Sequence, residues 1–371
     1  TYILYSLITG LLHNLSKSDL LYVNFEDERI PKQTAFLSNL LPAYVSFFGG
    51  NPKYIFLDEL QVMPNWSSWL RRILDQYDCQ IFVTGSSSKM GSQELPTELR
   101  GRSWEIKVNP LSWNEYLRFK QIQKKQDSNL LKFTFDEYLL WGGLPEVVLS
   151  PDDKKHEILQ NYFDVMLKRD IMERYFVRKE ELLKTILRLL VNSTAISVSR
   201  IYNQLKSLGI NLGKDTIIKY LSYIQSSYFT GFLYYYSPKM INQLLYPRKI
   251  YLVDNGFITA LSTKFSKNFG RLFENWMYGV LKTANTDIYY SKNRLGKEVD
   301  FITMKEGTTQ ALYQVCYDMT DFETRKREID NLISFGQKLN CRNLNIVTGL
   351  RTAVNYKFPE NISILTPDNF S

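Results

Sequence analysis

The sequence predicts an α/β protein whose first part is a parallel sheet covered by helices on both faces. Three observations predict it. The runs Leu20–Phe25, Tyr54–Leu57 and Gln80–Thr84 are short and almost continuously apolar, as strands buried on both sides are. The stretch Trp66–Tyr77 has helical spacing and lies between the second and third runs, giving the strand–helix–strand order of a parallel unit. The length of 371 residues exceeds what one core organises, so two or three domains are expected.

The elements follow in order. Ile3, Leu4, Leu7, Ile8, Leu11 and Leu12 recur at helical spacing, so the chain opens on a helix ahead of the first strand. A polar stretch at 120–135, with Lys124, Lys125, Gln126 and Asp127, reads as an exposed boundary. From Phe135 to Leu190 the pattern is helical, broken at Trp141-Gly142-Gly143-Leu144-Pro145, where Gly-Gly and Pro mark a tight turn before a new helix. Helices at Val198–Leu208 and Lys214–Ser227 then lead into a strand at Phe229–Tyr236. That helix–turn–helix–strand order is the order of a winged helix. The last third alternates a strand at Ile250–Val253 and a helix at Gly270–Lys282 with strands near 288–290, 298–303 and 311–317. A charged helix, Thr324–Leu339, and a final strand, Asn345–Thr348, complete it. The expected organisation is therefore 1–120, a helical connection at 121–182, a winged helix at 183–245 and a small α/β domain at 246–371.

Composition excludes several classes. Cys79, Cys316 and Cys341 have no paired spacing, which argues against a disulfide framework and a zinc site. His13 and His156 are the only histidines, so a His-based metal centre or a Ser-His-Asp relay is not expected. No apolar run reaches the roughly 18 residues of a membrane span, and the opening stretch lacks the basic flank of a signal peptide; a cytoplasmic protein is expected. The surplus of 46 basic over 38 acidic residues, +8, suits a nucleic-acid or phosphate partner and equally suits plain solubility. The first residue is Thr1 and not Met, as in a piece of a longer protein.

The strongest chemical signal is Tyr54-Ile55-Phe56-Leu57-Asp58-Glu59. A buried strand ending in Asp-Glu fixes two carboxylates at the sheet edge where open α/β folds bind ligands. Asp58 would hold Mg²⁺ through a water, and Glu59 would orient and deprotonate an attacking water. The same pair would also suit the start of a helix. The next strand ends Val83-Thr84-Gly85-Ser86, so Thr84 and Ser86 sit beside that pair, within reach of a phosphate. Arg100 and Arg102 follow; either is a candidate to neutralise transition-state charge, within or between subunits, and both would also fit a solvated basic turn.

Asn24-Phe25-Glu26-Asp27-Glu28-Arg29, Phe56-Leu57-Asp58-Glu59-Leu60-Gln61, Thr84-Gly85-Ser86-Ser87, Leu99-Arg100-Gly101-Arg102-Ser103 and Asn109-Pro110-Leu111-Ser112-Trp113 occur in that order. Together with Trp141-Gly142-Gly143-Leu144-Pro145, Tyr251-Leu252-Val253-Asp254-Asn255-Gly256 and Gly296-Lys297-Glu298-Val299-Asp300-Phe301, the set resembles the AAA+ P-loop ATPases of archaea and bacteria that carry a C-terminal domain of unknown function. The resemblance implies ATP and Mg²⁺ as cofactors, a P-loop fold for the first part, and Thr1 as the hydroxyl that joins Asp58 on the metal. It departs in one respect: no G-x-x-x-x-G-K-[ST] occurs in the sequence. That loop is expected immediately before Thr1, and this stretch alone is expected to bind ATP poorly or not at all.

For the last third the resemblance implies a restriction-endonuclease-like fold. Glu274 and Asp300 fit two of its acidic positions, but Gln314-Val315-Cys316 stands where a carboxylate and a lysine are needed. A degenerate, DNA-holding or structural domain is expected in preference to a nuclease, with Lys326 or Lys338 as spatial substitutes for the lost lysine. Arg200, Lys206, Lys214 and Lys219 of the winged-helix stretch are candidate phosphate contacts, with a protein partner, a second copy or a lid closing over the nucleotide as the alternative.

Overall fold

In a computed structural model, residues 1–85, 101–123, 127–262, 268–284, 287–293, 296–349 and 358–370 are described. They divide into two units, Thr1–Lys107 and Val108–Ser371.

In the first unit, helix α1 (Tyr2–Leu12) leads to β1 (Leu20–Asn24), α2 (Thr34–Phe48), β2 (Tyr54–Asp58), α3 (Trp66–Gln76) and β3 (Gln80–Val83). The strands are all parallel in the order β1-β2-β3, with Asn24 beside Asp58 and Leu57 beside Val83. Ile55, Phe56 and Leu57 of the middle strand are wholly buried, which is what a strand covered on both faces requires. Phe56 also stacks on Phe82, ring centroids 4.9 Å apart. Trp66, Trp69, Leu70 and Ile73 form the buried stripe of α3, at i, i+3, i+4 and i+7. Helix α2 ends on Gly49 in the left-handed region, whose N–H satisfies the Val45 carbonyl.

The second unit begins with helices α4 (Trp113–Phe119), α5 (Ser128–Trp141), α6 (Pro145–Leu149) and α7 (Asp152–Val165), which runs on through a π-helical stretch, Met166–Glu173. Then come α8 (Glu180–Val191), β4 (Ala195–Ile196), α9 (Val198–Ser207), α10 (Lys214–Ser226), β5 (Thr230–Tyr235), α11 (Met240–Leu245) and β6 (Arg248–Leu252). Helices α12 (Asn255–Leu261) and α13 (Phe269–Thr283) precede β7 (Asp287–Lys292), β8 (Glu298–Lys305) and β9 (Thr308–Cys316). Helix α14 (Phe322–Lys338), β10 (Leu344–Thr348) and β11 (Ile362–Leu365) follow.

One mixed sheet joins the eight strands in the order β11-β10-β9-β8-β7-β5-β6-β4. Because β5 lies between β6 and β7, the sheet runs unbroken across residues 245 and 246. An aromatic cluster anchors the helical part: Trp113 meets Phe135 edge-on at 5.0 Å, and Phe135 meets Trp276 at 5.5 Å. Pro145 opens α6 at its first turn, where the missing N–H costs nothing. Ahead of it, Gly142 caps α5 at φ 78, ψ −164, and the next residue's N–H donates to buried Asp254, 2.7 Å away. Asp254 also accepts from Gly256 N–H at 2.8 Å, capping α12. One carboxylate therefore ties the Gly-Gly turn to the start of a distant helix.

Candidate functional site

At the C-terminal end of β2 the chain turns sharply: Asp58 is completely buried, and Glu59 follows in the left-handed region at φ 56. A non-glycine residue held there stores local strain of about 1–3 kcal/mol, typical of positions fixed by their surroundings. Here the fixing group is Thr84, one residue past β3. Its hydroxyl donates to Asp58 Oδ1 and accepts the Glu59 backbone N–H at 3.2 Å. The Glu59 side chain accepts a hydrogen bond from Gln61.

Two further groups converge on Asp58. Thr1 N lies 3.5 Å from Oδ1, and the Tyr22 hydroxyl donates to Oδ2 at 3.0 Å. Tyr22 sits two residues before Asn24, the register partner of Asp58, so period-two alternation puts it on the same sheet face. Sequence reasoning passed over it; a hydroxyl inside an otherwise apolar strand was the available signal. Burial pushes the Asp58 carboxyl up, but hydrogen bonds from Thr84, Thr1 and Tyr22 outweigh it and hold the group below the usual aspartate range. Tyr22 is pushed well above the usual phenol range by burial and by its bonds to Tyr5 and Asp58, so it stays a donor.

The structure thus brings Thr1, Asp58, Glu59 and Thr84 together at the C-terminal edge of a parallel sheet. It does not bring Arg102 there: that guanidinium pairs with Asp75 of α3 at 2.6 Å, half-exposed. Ser86 and Arg100 lie outside the described residues.

The other expected residues lie in the second unit. Glu274 on α13 and Asp300 on β8 do come together, joined by Glu298, and Lys249 of β6 lies among all three. Tyr251 donates to Glu274 Oε1 at 2.7 Å, and the Val315 N–H donates to Asp300 Oδ2 at 3.0 Å. Gln314 is turned elsewhere, donating to Glu328 at 2.7 Å. Lys249, and not Lys326 or Lys338, supplies the cation. Its signal in the sequence was a lysine inside a strand, two residues from a tyrosine on the same face.

Residues 1–117 match the family model described as an AAA domain, and residues 132–268 match a domain of unknown function (DUF8612). An uncharacterized protein of Methanocaldococcus jannaschii, MJ1544, is 34% identical over 360 residues, covering 93% of this chain and 78% of its own length. An uncharacterized protein of Haemophilus influenzae is 30% identical over 287 residues, covering 76% of this chain and 69% of its own. Among solved structures, the Walker-type ATPase PABY2304 of Pyrococcus abyssi aligns with 60% of this chain and 65% of its own at 15% identity, with a TM-score of 0.40. Among the described residues no helix is long and apolar enough to cross a membrane.

Proposed function

This chain belongs to the family of the uncharacterized M. jannaschii protein MJ1544, with an AAA domain in its first third, and we propose that it is an ATP-binding and hydrolysing molecular switch. The observation that carries this reading is the Thr84 hydroxyl, which locks a buried, ionised Asp58 and a strained Glu59 into one unit at the sheet edge. Strand-end carboxylates at that edge are where α/β folds of this kind bind nucleotides.

The donor set fits Mg²⁺, a hard ion that takes one or two protein oxygens and completes its shell with water and phosphate. Asp58 and the Thr1 hydroxyl would hold it, and the bound ion would neutralise phosphate charge. Glu59 would accept a proton from the attacking water. Its backbone is fixed through Thr84 and its side chain is steadied by Gln61, so its position depends on both neighbours. Thr84 touches both carboxylate residues and would report the presence of a phosphate. Ser86 and Arg100, outside the described residues, are further candidates. Arg102 would have to give up Asp75 before serving as a charge-neutralising cation.

The reading of a DNA-associated switch is supported by topology. Helix α8, strand β4, helices α9 and α10 and strands β5 and β6 follow in winged-helix order, with β6 antiparallel to both β4 and β5. Arg200, Lys206, Lys214 and Lys219 are all exposed on α9 and α10. A non-catalytic DNA- or protein-binding scaffold is the second reading, favoured by one observation: Lys249 stands among the carboxylates of Glu274, Glu298 and Asp300 in the second unit; the first reading requires a G-x-x-x-x-G-K-[ST] loop.

The test is ATP turnover, with and without duplex DNA, by the chain extended at Thr1 through a strand and loop of that pattern. Turnover is expected, falling at least about 100-fold in Glu59→Gln. Stimulation by DNA would give the basic helices their purpose. Absence of both turnover and nucleotide binding would leave the scaffold.

A further inference from the structure

Glu274, Glu298 and Asp300 turn their carboxylates onto one point between α13 and β8, and the Lys249 ammonium fills it. Nζ lies 2.8 Å from Glu274, 2.6 Å from Glu298 and 3.0 Å from Asp300. A restriction-endonuclease-like fold would place Mg²⁺ on such carboxylates. The residues present do not fit it. The Lys249 side chain is only 8% exposed and occupies the point of convergence. Gln314 is committed to Glu328, and burial pushes the Cys316 thiol up to about 12, so neither offers an anionic ligand. Among the described residues no group of three or more His, Cys, Asp or Glu is arranged to hold a metal ion.

We propose that Lys249 is the resident cation of this centre, standing where a divalent ion would have to bind, so that the second unit holds no metal and hydrolyses no phosphodiester. Charge supports this. Lys292 lies 3.5 Å from Glu298, and Arg271 is near enough to help hold Glu274 ionised. Lys249 and Lys292 are thus already paired to these carboxylates, with Arg271 nearby, and a divalent ion would add charge to a set that holds its cations. Size supports it too. Oxygens around a divalent ion stand at about 2.0–2.6 Å, whereas these stand at ammonium distance and are held there. Tyr251 fixes Glu274, and the Val315 N–H fixes Asp300. Removing Lys249 would leave three partly buried carboxylates without their central partner, a loss that a metal ion could make good.

Thermal unfolding and Mn²⁺ uptake, the latter by electron paramagnetic resonance, test this on the full chain without nucleotide. The unsubstituted chain is expected to unfold at one temperature in Mn²⁺ and in chelator, and any Mn²⁺ it takes up should survive Asp300→Asn. Lys249→Ser is expected to be less stable in chelator and to recover in Mn²⁺. Its uptake should be at least roughly tenfold tighter than that of the unsubstituted chain, an effect that Asp300→Asn removes. Mn²⁺ uptake by the unsubstituted chain that Asp300→Asn abolishes would overturn the proposal. So would a Lys249→Ser chain that folds but ignores Mn²⁺, or one that stays unfolded even with the ion. The first comparison leaves Lys249 untouched and decides the matter even where the variant is unstable.

Discussion

Thr84 shows how much one hydroxyl can organise. It meets a carboxylate buried at the end of β2 and the N–H of the strained residue beyond it. Thr84→Val keeps the shape and removes both bonds, leaving one buried charge short of a donor and one N–H unmet. The expected cost is about 1–3 kcal/mol, read as a lower urea midpoint with an unchanged slope. An unchanged midpoint would mean that Tyr22 and Thr1 hold Asp58 without help. That Asp58, Glu59 and Thr84 meet at one sheet edge was legible in the sequence because a strand-end motif is local: a few consecutive residues carry the pattern. Tyr22 and Lys249 were not. Each acts across the sheet on a carboxylate far along the chain, and the register that aims it is set by strand pairing, which a single sequence does not display.

Elements with one clear period were legible to within a residue or two, as at α3, α9 and α10. Helix α2 was not expected, and its composition explains why. Pro42 sits inside it, removing one ladder donor, and its apolar residues fall on more than one face, so no stripe stands out. Packing against the sheet overrides both defects. The Gly142-Gly143 break was legible as a turn, but its partner was hidden. A Cβ at Gly142 would lie 1.7 Å from Asp254 Oδ1, and its backbone occupies a region open almost only to glycine. Gly209, at φ 76, has open space around its Cβ position. Gly142→Ala is therefore expected to destabilise the second unit by more than about 3 kcal/mol, against about 1–2 kcal/mol for Gly209→Ala. Equal costs in denaturant unfolding would show that the Asp254 junction gives way freely.

Over the whole molecule, the two units carry buried aspartates that are tuned in opposite directions, so their stabilities should answer differently to pH. In the first unit Asp58 is held below the usual 3.8. The stability it contributes is present above that value and is lost as pH falls through the depressed value. In the second unit burial pushes Asp254 up to about 6 against the N–H groups of Gly143 and Gly256. A raised carboxyl favours its protonated, folded form, so its contribution is complete below 3.8 and is lost as pH rises through about 6. Burial displaces Asp300 upward as well, reinforcing the same trend. On acidification from about pH 7.5 to about pH 5, the second unit should become harder to open while the first stays level. Hydrogen exchange followed by mass spectrometry, corrected for intrinsic rates, would read the two separately, with Gly143 and Gly256 amides reporting on the Asp254 junction. Asp254→Asn should flatten most of the response around those two amides and leave the residues near Lys249 responsive through Asp300. Protection in the second unit that instead weakens toward pH 5 would mean that Asp254 is carried as a stable anion by its two N–H donors. The junction would then contribute stability at neutral pH, where the buried carboxylate is otherwise a cost.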